Sequence, residues 1–284
     1  MNLGLGIFFS VLALIGWGVH DMLIKKTVDE VGVLSSTLYR NSIIALILFF
    51  AALPFISSVP SLNTFLLLFI ISVIGTTGFL CFGKALGQSK VSLISPLAHS
   101  AVIISVILAM IFLKESLSTL QVFAIISIIL GTILVSFEDH KIFRLKFGRL
   151  VKGAPYALVT IVCWGFYYFL IKFPIEEIGV FLTGFYTELF LLIFMIIAAF
   201  IKKPVLPKKS SIPFFILFGV IGALGIICQN LGLAFGLVSI SAPIVFASPL
   251  SAAIFARIFL KEKIEHHQKI AIFLIILGIV LVAI

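Results

Sequence analysis

The chain has 284 residues, of which 62% are hydrophobic and 11% are charged, and its formal net charge is +9. A soluble domain is about half apolar and about a quarter charged. This composition therefore excludes a soluble fold and indicates that lipid surrounds most of the protein. The basic balance does not indicate nucleic-acid binding, because lysine and arginine stand at the ends of apolar runs, as the positive-inside rule describes. We expect a lipid bilayer, and no nucleic acid, among the partners.

Ten apolar runs follow one another along the chain, and each is close to the ~20 residues that cross a bilayer as a helix. The first run, at residues 3–24, has no basic segment before it and is too long for the apolar core of a signal peptide, so we expect it to persist as a helix. The predicted fold class is an all-α membrane protein with ten transmembrane helices. They are expected at residues 4–24, 33–53, 63–83, 92–113, 120–137, 153–172, 179–201, 212–233, 239–259 and 268–284.

The longest connection between these runs divides the chain into two halves. Residues 138–152 carry most of their charge as lysine and arginine, and we interpret them as a basic connecting loop. The first five-helix unit is then expected at residues 1–137 and the second at residues 153–284.

An internal repeat relates the two halves. A shift of 147 residues aligns them without a gap, and about 39 of the 137 aligned pairs are identical, more than shared hydrophobicity should give. The matching segments include Trp17-Gly18 with Trp164-Gly165, Leu23-Ile24-Lys25 with Leu170-Ile171-Lys172, Val91-Ser92 with Val238-Ser239, and Phe112-Leu113-Lys114-Glu115 with Phe259-Leu260-Lys261-Glu262.

Each half contains five predicted spans, which is an odd number. The second half must therefore enter the membrane from the side opposite to the first, so the two repeats are expected to be inverted. Many secondary transporters have this architecture, because exchanging the conformations of two similar halves moves a central cavity from one side to the other. The alternative is that duplication only enlarged a helical bundle.

These paired motifs resemble the EamA-type transporters of the drug/metabolite transporter superfamily. Each half has a Trp-Gly in its first helix, a stretch of small residues before its fourth helix, and a Leu-Lys-Glu that closes the fourth helix. The family's proline in the fourth helix is matched by Pro249, whereas the first half has Val102, which predicts that the two fourth helices bend differently. The resemblance implies two five-helix units and export of amino acids, other metabolites or toxic compounds.

Two arguments about orientation disagree. One predicted face carries about 16 lysines and arginines, and the face shared by both termini carries about 2, namely Lys114 and Lys172. The positive-inside rule then places both termini outside. The family resemblance implies that both termini are cytoplasmic, so both orientations stay open.

Polar residues inside the predicted spans are the first candidates for a site, since an ionisable group there is costly. Glu188 is either a proton-coupling site, a counter-charge for a cationic substrate, or a structural partner of Arg40 or a lysine. Its repeat mate is Asn41, so the two halves differ in charge at one depth. Arg40 suits binding of a substrate carboxylate, or it neutralises Asp21 or Glu188.

A second group of candidates shares one face of the first helix. Trp17, His20 and Asp21 are spaced i, i+3, i+4. Such a face suits the wall of a cavity, and it also suits an aromatic belt at the membrane interface. The repeat mates with the same spacing are Trp164, Tyr167 and Tyr168.

Four further residues complete the set of candidates. His99 can carry a proton near neutral pH, or it can be a neutral hydrogen-bonding residue between helices. Tyr39 and Tyr186 occupy equivalent positions in the two repeats and are expected to lie deeper than the first face. Gln229 can bond to a substrate or to a neighbouring helix.

Structural roles are expected for two other features. Cys81, Cys163 and Cys228 lie in apolar runs without a CxxC pattern, which predicts packing residues and no metal site. Ser118 and Gln121 fit a capping box at the start of the fifth helix.

The sequence predicts a transporter and not an enzyme. It has no P-loop pattern, so transport would be secondary-active, and it has no GxSxG or HExxH motif. The favoured prediction is an exporter of amino-acid-like metabolites in the cell membrane, with no cofactor and with protons as a candidate coupling ion. A hydrophobic-cation exporter and a flippase for lipid-linked substrates are the alternatives, an intramembrane enzyme is disfavoured, and the oligomeric state stays open.

Overall fold

The computed structural model describes residues 2–88, 91–135, 153–259 and 266–283, and all regular structure among them is helical. The predicted basic loop at residues 138–152 lies outside the described residues. The helices are α1 (Leu3–Ala52), α2 (Leu62–Gln88), α3 (Val91–His99), α4 (Ala101–Phe112), α5 (Thr119–Val135), α6 (Ala154–Leu170), α7 (Lys172–Ile178), α8 (Val180–Ile201), α9 (Ile212–Phe235), α10 (Val238–Phe246), α11 (Pro249–Phe259) and α12 (His266–Val282).

Six helical segments of the described chain are long and apolar enough to cross a membrane. This confirms an all-helical membrane protein, whereas ten separate spans are not established by length and composition. Three shorter apolar helices accompany the six, at Leu97–Phe112, Thr119–Val135 and His266–Val282. The six segments are Leu3–Phe55, Leu62–Gln88, Ala154–Ile178, Val180–Ile201, Lys209–Phe235 and Val238–Phe255.

The first two predicted spans are joined without a loop. Gly32, at φ 77° and ψ 166°, is the only residue inside α1 with non-helical backbone angles, and it divides the helix into an N-terminal arm and a C-terminal arm. Its repeat mate Gly179, at φ 81° and ψ 172°, makes the same break before α8. Glycine fits here because other residues are strained at positive φ.

The fourth predicted span of each repeat is broken in the middle. Residues 92–113 fold as α3 and α4, which meet at Ser100. Residues 239–259 fold as α10 and α11, which meet at the equivalent Ala247 and Ser248. Pro249 begins α11, where its missing N–H costs nothing. Helices α3 and α4 break at the same register without this proline, and a difference in bend angle between the two broken spans stays a prediction.

Helices α5 and α12 form an almost symmetric pair. A Cβ added to Gly131 would lie 2.8 Å from the carbonyl oxygen of Ala271, and a Cβ added to Gly278 would lie 2.6 Å from that of Ala124. These two contacts exchange under the 147-residue shift. Both glycines therefore permit close approach of the same two helices, as small residues do in membrane bundles.

The same exchange relates the first helix of each repeat to the other repeat. Gly18 packs on the backbone of Ser248 in the second repeat, and Gly165 packs on the backbone of the equivalent Ala101 in the first. Each repeat therefore uses its Trp-Gly motif to contact the broken fourth helix of the other.

The capping box at α5 is confirmed, since Ser118 N donates to Gln121 Oε1 at 3.0 Å and Gln121 N donates to Ser118 Oγ at 3.2 Å.

Two equivalent lysines mark opposite ends of the bundle. Asn2, at the start of α1, donates its N–H to Phe235 O at the end of α9, and Lys172 Nζ donates to Leu233 O beside it. Lys25 stands 23 residues after Asn2 on the same helical arm, which is ~34 Å at 1.5 Å per residue. We name these regions the Lys172 end and the Lys25 end. Equivalent residues thus lie at opposite ends of the molecule.

Candidate functional site

A cavity lies between the two repeats at the middle of the bundle. It offers about 110 Å³ to the centres of water-sized molecules, and one such molecule needs roughly 10–15 Å³ by this measure. The space therefore suits several waters or a small organic molecule. The lining residues are Trp17, His20, Asp21, Arg40, Gly75, Phe79, Phe82, His99, Trp164, Tyr167, Tyr168, Glu188, Leu191, Ile226, Gln229, Val245, Phe246 and Ser248.

Nine of the twelve candidate residues line this cavity. The broken fourth helices and the first helices of both repeats converge here, so polar groups far apart in the chain come together. The three candidates that do not line the cavity are Tyr39, Asn41 and Tyr186. The nine that do are Trp17, His20, Asp21, Arg40, His99, Trp164, Tyr167, Glu188 and Gln229.

Arg40 and Glu188 are linked through a buried amide. Arg40 Nη1 donates to Asn41 Oδ1 at 2.9 Å, and Asn41 Nδ2 donates to Glu188 Oε2. Arg40 and Asn41 come from the C-terminal arm of α1, and Glu188 comes from α8. Asn41 therefore bridges the two charges from behind the cavity wall. Although it does not line the cavity, it holds the side chains of Arg40 and Glu188 in position.

The remaining contacts of Arg40 hold its side chain in place. Its Nε donates to His20 Nε2 at 2.7 Å, and its guanidinium carbon lies 4.6 Å from the centre of the Phe79 ring. Since arginine only donates, His20 Nε2 accepts and this histidine carries its proton on Nδ1. In the part of the chain that the structure describes, that nitrogen has no hydrogen-bond partner, and it lies 3.7 Å from Asp21 Oδ1.

Asp21 is the most accessible acidic side chain of the cavity, with 18% of its side-chain surface exposed. Ser248 Oγ lies 3.5 Å from Asp21 Oδ2 and 3.0 Å from His99 Nε2, and its single proton can go to only one of these acceptors. His99 Nδ1 lies 2.7 Å from Ser95 O, so this nitrogen is the donor and Nε2 is free to accept. Ser248, from α11's N-terminal junction, therefore joins the two candidates Asp21 and His99.

Aromatic rings cover the cavity wall next to His99. The Phe246 ring lies 4.5 Å from that of Tyr168 and 6.3 Å from that of Trp164, and the Trp164 ring lies 5.0 Å from that of Phe82. These separations are typical of interacting aromatic pairs. The wall offers an apolar surface for the non-polar part of a ligand.

Gln229 connects the polar and aromatic parts of the site. Its Oε1 accepts from Trp17 Nε1 at 3.0 Å and from Tyr168 Oη at 2.6 Å. Trp17 and Tyr168 come from the first helices of different repeats. The side chain thus fixes α1 to α6 through α9, which favours the structural alternative for Gln229.

Tyr39 and Tyr186 lie outside the cavity. Tyr39 Oη donates to Val205 O in the loop after α8, and its ring meets Phe215 edge-on. Tyr186 packs against Phe65. Neither ring lines the cavity. Tyr39 stands one residue before the cavity-facing Arg40 and Tyr186 two residues before Glu188, so at about 100° per residue both side chains point away from it.

Several cavity residues were not among the candidates. Phe79, Phe82 and Phe246 are ordinary residues of apolar helices, and Ser248 lies at the break between two of them. Neither hydropathy nor charge separates these residues from packing residues. The 147-residue shift contains a usable signal, since Phe246 is the mate of His99 and Phe82 is the mate of Gln229. Among the described residues, no group of three or more His, Cys, Asp or Glu side chains could hold a metal ion.

The two ends of the bundle are closed by equivalent contacts. Lys172 Nζ donates to Leu233 O at 2.6 Å, and Lys25 Nζ donates to the equivalent Leu86 O at 3.3 Å. The Lys172–Leu233 contact lies within the second repeat. The Lys172 end also has a contact between the two repeats, in which Glu115 accepts from the N–H groups of Val238 and Ser239 at 2.8 Å each. We name these contacts the lysine latches and the Glu115 latch.

Comparison with known proteins agrees with this architecture. The profile of the EamA-like transporter family matches the chain twice, over residues 4–137 and 151–284. An uncharacterized transporter of Archaeoglobus fulgidus is 28% identical over 283 residues, which is 98% of this chain and 97% of that protein. A solved crystal structure is similar in fold, with a TM-score of 0.80 at 14% identity over 98% of this chain and 96% of the other.

The double match confirms the internal repeat and the resemblance on which the prediction of a transporter rested. It also indicates a transport protein rather than an enzyme. Together with the six apolar spanning segments, it confirms a multi-pass membrane protein. The chain belongs to the EamA-like transporter family, as two successive copies of that family's domain.

Proposed function

We propose that this protein is a secondary-active transporter that moves a small organic molecule across the membrane by alternating access. The observation that carries this proposal is a cavity lined by equivalent residues of the two repeats. Trp17 and Trp164 are one such pair, and His20 and Tyr167 are another. A site shared by two similar halves can be opened to either side by exchanging their conformations.

The proposed mechanism uses the latches at the two ends. At the Lys172 end, a buried ammonium group holds the last carbonyl groups of α9, where the helix dipole is negative. The Lys25 latch holds the end of α2 in the same manner but at greater length. In the alternating cycle, one end is held closed while the other is released, and the cavity is reached through the released end.

The proposed topology has ten crossings and inverted repeats. It follows when Leu3–Phe55 counts as two crossings divided at Gly32 and the three shorter apolar helices each cross once. The opposite positions of Lys25 and Lys172 support the inversion. We place the protein in the cell membrane, and the excess of basic residues favours termini on the outer side.

The proposed substrate is a small metabolite with an ammonium group, a class that includes amino acids and amines. Two carboxylates at the cavity, Asp21 and Glu188, support this class, and the aromatic wall also suits a hydrophobic cation. Export and coupling to protons remain predictions from the family and from the ionisable side chains.

Counterflow in proteoliposomes tests the proposed function. Vesicles loaded with a pool of unlabelled amines, amino acids and related metabolites are diluted into the labelled compounds, and vesicles without protein serve as the control. We expect saturable uptake that depends on the internal pool. Absence of exchange for every compound, with the protein shown to be monodisperse and helical, would contradict a carrier for this class.

A further inference from the structure

The charged side chains around the cavity differ in whether an opposite charge is hydrogen-bonded to them. The positive charge of Arg40 is linked to the negative charge of Glu188 through Asn41. Hydrogen-bonded opposite charges in a buried setting largely satisfy each other. Among the described residues, Asp21 has no hydrogen-bond link to a cation, and its two histidine neighbours, His20 and His99, lie at 3.7 Å.

The hydrogen bonds of Asp21 are also incomplete. Ser248 Oγ is 3.5 Å away, at the limit of hydrogen bonding. The same hydroxyl is closer to His99 Nε2, at 3.0 Å, and a single hydroxyl proton goes to the nearer acceptor when His99 is neutral. A carboxylate withdrawn from water and short of donors is costly. A ligand that brings an N⁺–H group to Asp21 would remove this cost.

The aromatic wall begins beside this carboxylate. His99 lies 3.7 Å from Asp21, and its ring centre is 6.0 Å from that of Phe246 and 6.3 Å from that of Trp164. A cation is attracted both to a carboxylate and to the faces of aromatic rings. The two features together form a site for a cationic head attached to an apolar group.

A carboxylate on the ligand has no comparable partner. Among the described lining residues, Arg40 is the only arginine or lysine of the cavity. Two of its nitrogen atoms already donate within the protein, to His20 and Asn41, and its plane is covered by Phe79. Binding a second carboxylate there would break contacts that hold Glu188.

We propose that the transported substrate is an organic ammonium cation without a carboxylate, with its N⁺–H groups on Asp21 and its apolar part on Trp164 and Phe246. This proposal rests on the carrier function proposed above and narrows its substrate class. It gives Asp21 the role of recognising the cation and gives Arg40 and Glu188 a structural, charge-balancing role.

A pair of probes that differ in one group tests the proposal on the unaltered protein. 2-Phenylethylamine and phenylalanine share the phenyl ring and the ammonium group, and only phenylalanine carries a carboxylate. Trp17 and Trp164 are the two tryptophans of the chain and both line the cavity, so tryptophan fluorescence reports binding directly. We expect the amine to bind at least tenfold more tightly than the amino acid and to show counterflow. Equal or tighter binding of phenylalanine would overturn the proposal.

Two variants separate recognition from folding. Asp21→Asn removes the charge at constant size and should weaken 2-phenylethylamine binding at least tenfold. Glu30→Gln is the matched control, because Glu30 is a carboxylate on the same helix that contacts Lys208 N outside the cavity, and its binding should stay within twofold of the unaltered protein. If Asp21→Asn does not fold, Glu188→Gln serves instead. It leaves Arg40 unbalanced, so amine binding should fall and phenylalanine binding should rise.

The outcomes distinguish this inference from the function on which it rests. Counterflow of amino acids without counterflow of 2-phenylethylamine would overturn the cation proposal and leave a carrier. Amine binding unchanged by Asp21→Asn in a folded variant would also overturn it. Absence of counterflow for every compound would count against the carrier itself.

Discussion

The Lys172 end and the Lys25 end have the same sequence motif but differ in the length and burial of their lysine contacts. Both lysines follow Leu-Ile on the first helix of a repeat and donate to the carbonyl group of an equivalent leucine. At the Lys172 end the distance is 2.6 Å and 11% of the lysine side chain is exposed, whereas at the Lys25 end the values are 3.3 Å and 38%.

The difference between the two lysine contacts comes from the conformation of the two ends and not from their amino-acid composition. Each lysine also has an acidic partner four residues later, Asp29 for Lys25 and Glu176 for Lys172. The same lysine, carbonyl and carboxylate groups are thus available at both ends, and among the described residues the lysine contact is shorter and more buried at the Lys172 end. An alternating-access transporter requires this, because the two halves must take different conformations at any moment.

The largest effect is expected from loss of the Glu115 latch, which holds the Lys172 end closed. Glu115→Gln removes the charge that accepts two N–H groups and the hydroxyl of Ser239 at the start of α10. Losing charge-assisted bonds of this kind costs about 3 kcal/mol, roughly a hundredfold in favour of the open end. We expect counterflow to fall by more than tenfold. Glu30→Gln is the control, and full activity of Glu115→Gln would show that this latch has no part in transport.

The second effect compares the lysine latches with each other. Lys172→Met should destabilise the closed end by about 2 kcal/mol, roughly thirtyfold, because a charged group donates there at short distance. Lys25→Met should cost only about 0.5 kcal/mol, since an exposed contact is worth little. Hydrogen exchange of the peptide covering residues 234–241 measures the difference. Similar exchange in the two variants would contradict the unequal closure.

The smallest expected difference between the repeats concerns the helix breaks at Gly32 and Gly179, which have similar backbone angles. Gly32→Ala and Gly179→Ala place a Cβ at positive φ, although no atom lies within 4 Å of it. Each should lose about 1 kcal/mol of stability through backbone strain alone. Thermal unfolding should therefore fall by an equal few degrees in both variants. A clear difference between the two would show that the helix breaks also differ between the ends.

The repeat made much of the fold predictable from the sequence. The shift of 147 residues pairs Gly32 with Gly179, and it pairs Gly131 with Gly278 at the symmetric helix contact. Helix bounds were less predictable, because hydropathy does not reveal a break inside a uniformly apolar run such as that at Ser100. It also cannot show that the charged turn around Gly32 continues as helix on both sides.

The candidate site was predictable where charge and spacing acted together. Trp17, His20 and Asp21 share a helical face and do line the cavity. Ser248 could not be found from the sequence, since small hydroxyl residues are common in such helices and usually bond to their own backbone. Tyr39 matched its mate Tyr186 for packing reasons, and matching alone does not distinguish a cavity wall from a helix contact.

The most direct test of alternating access measures which face reaches the cavity. Ser248→Cys, in a variant whose three native cysteines are alanine, is labelled with a membrane-impermeant maleimide applied to each face of oriented vesicles. With the two lysine latches and the Glu115 latch intact, we predict labelling at least tenfold faster from the face at the Lys25 end. Lys172→Met should reverse this preference. Equal labelling from both faces with the latches intact, or a preference that Lys172→Met does not change, would contradict two alternating ends around one cavity.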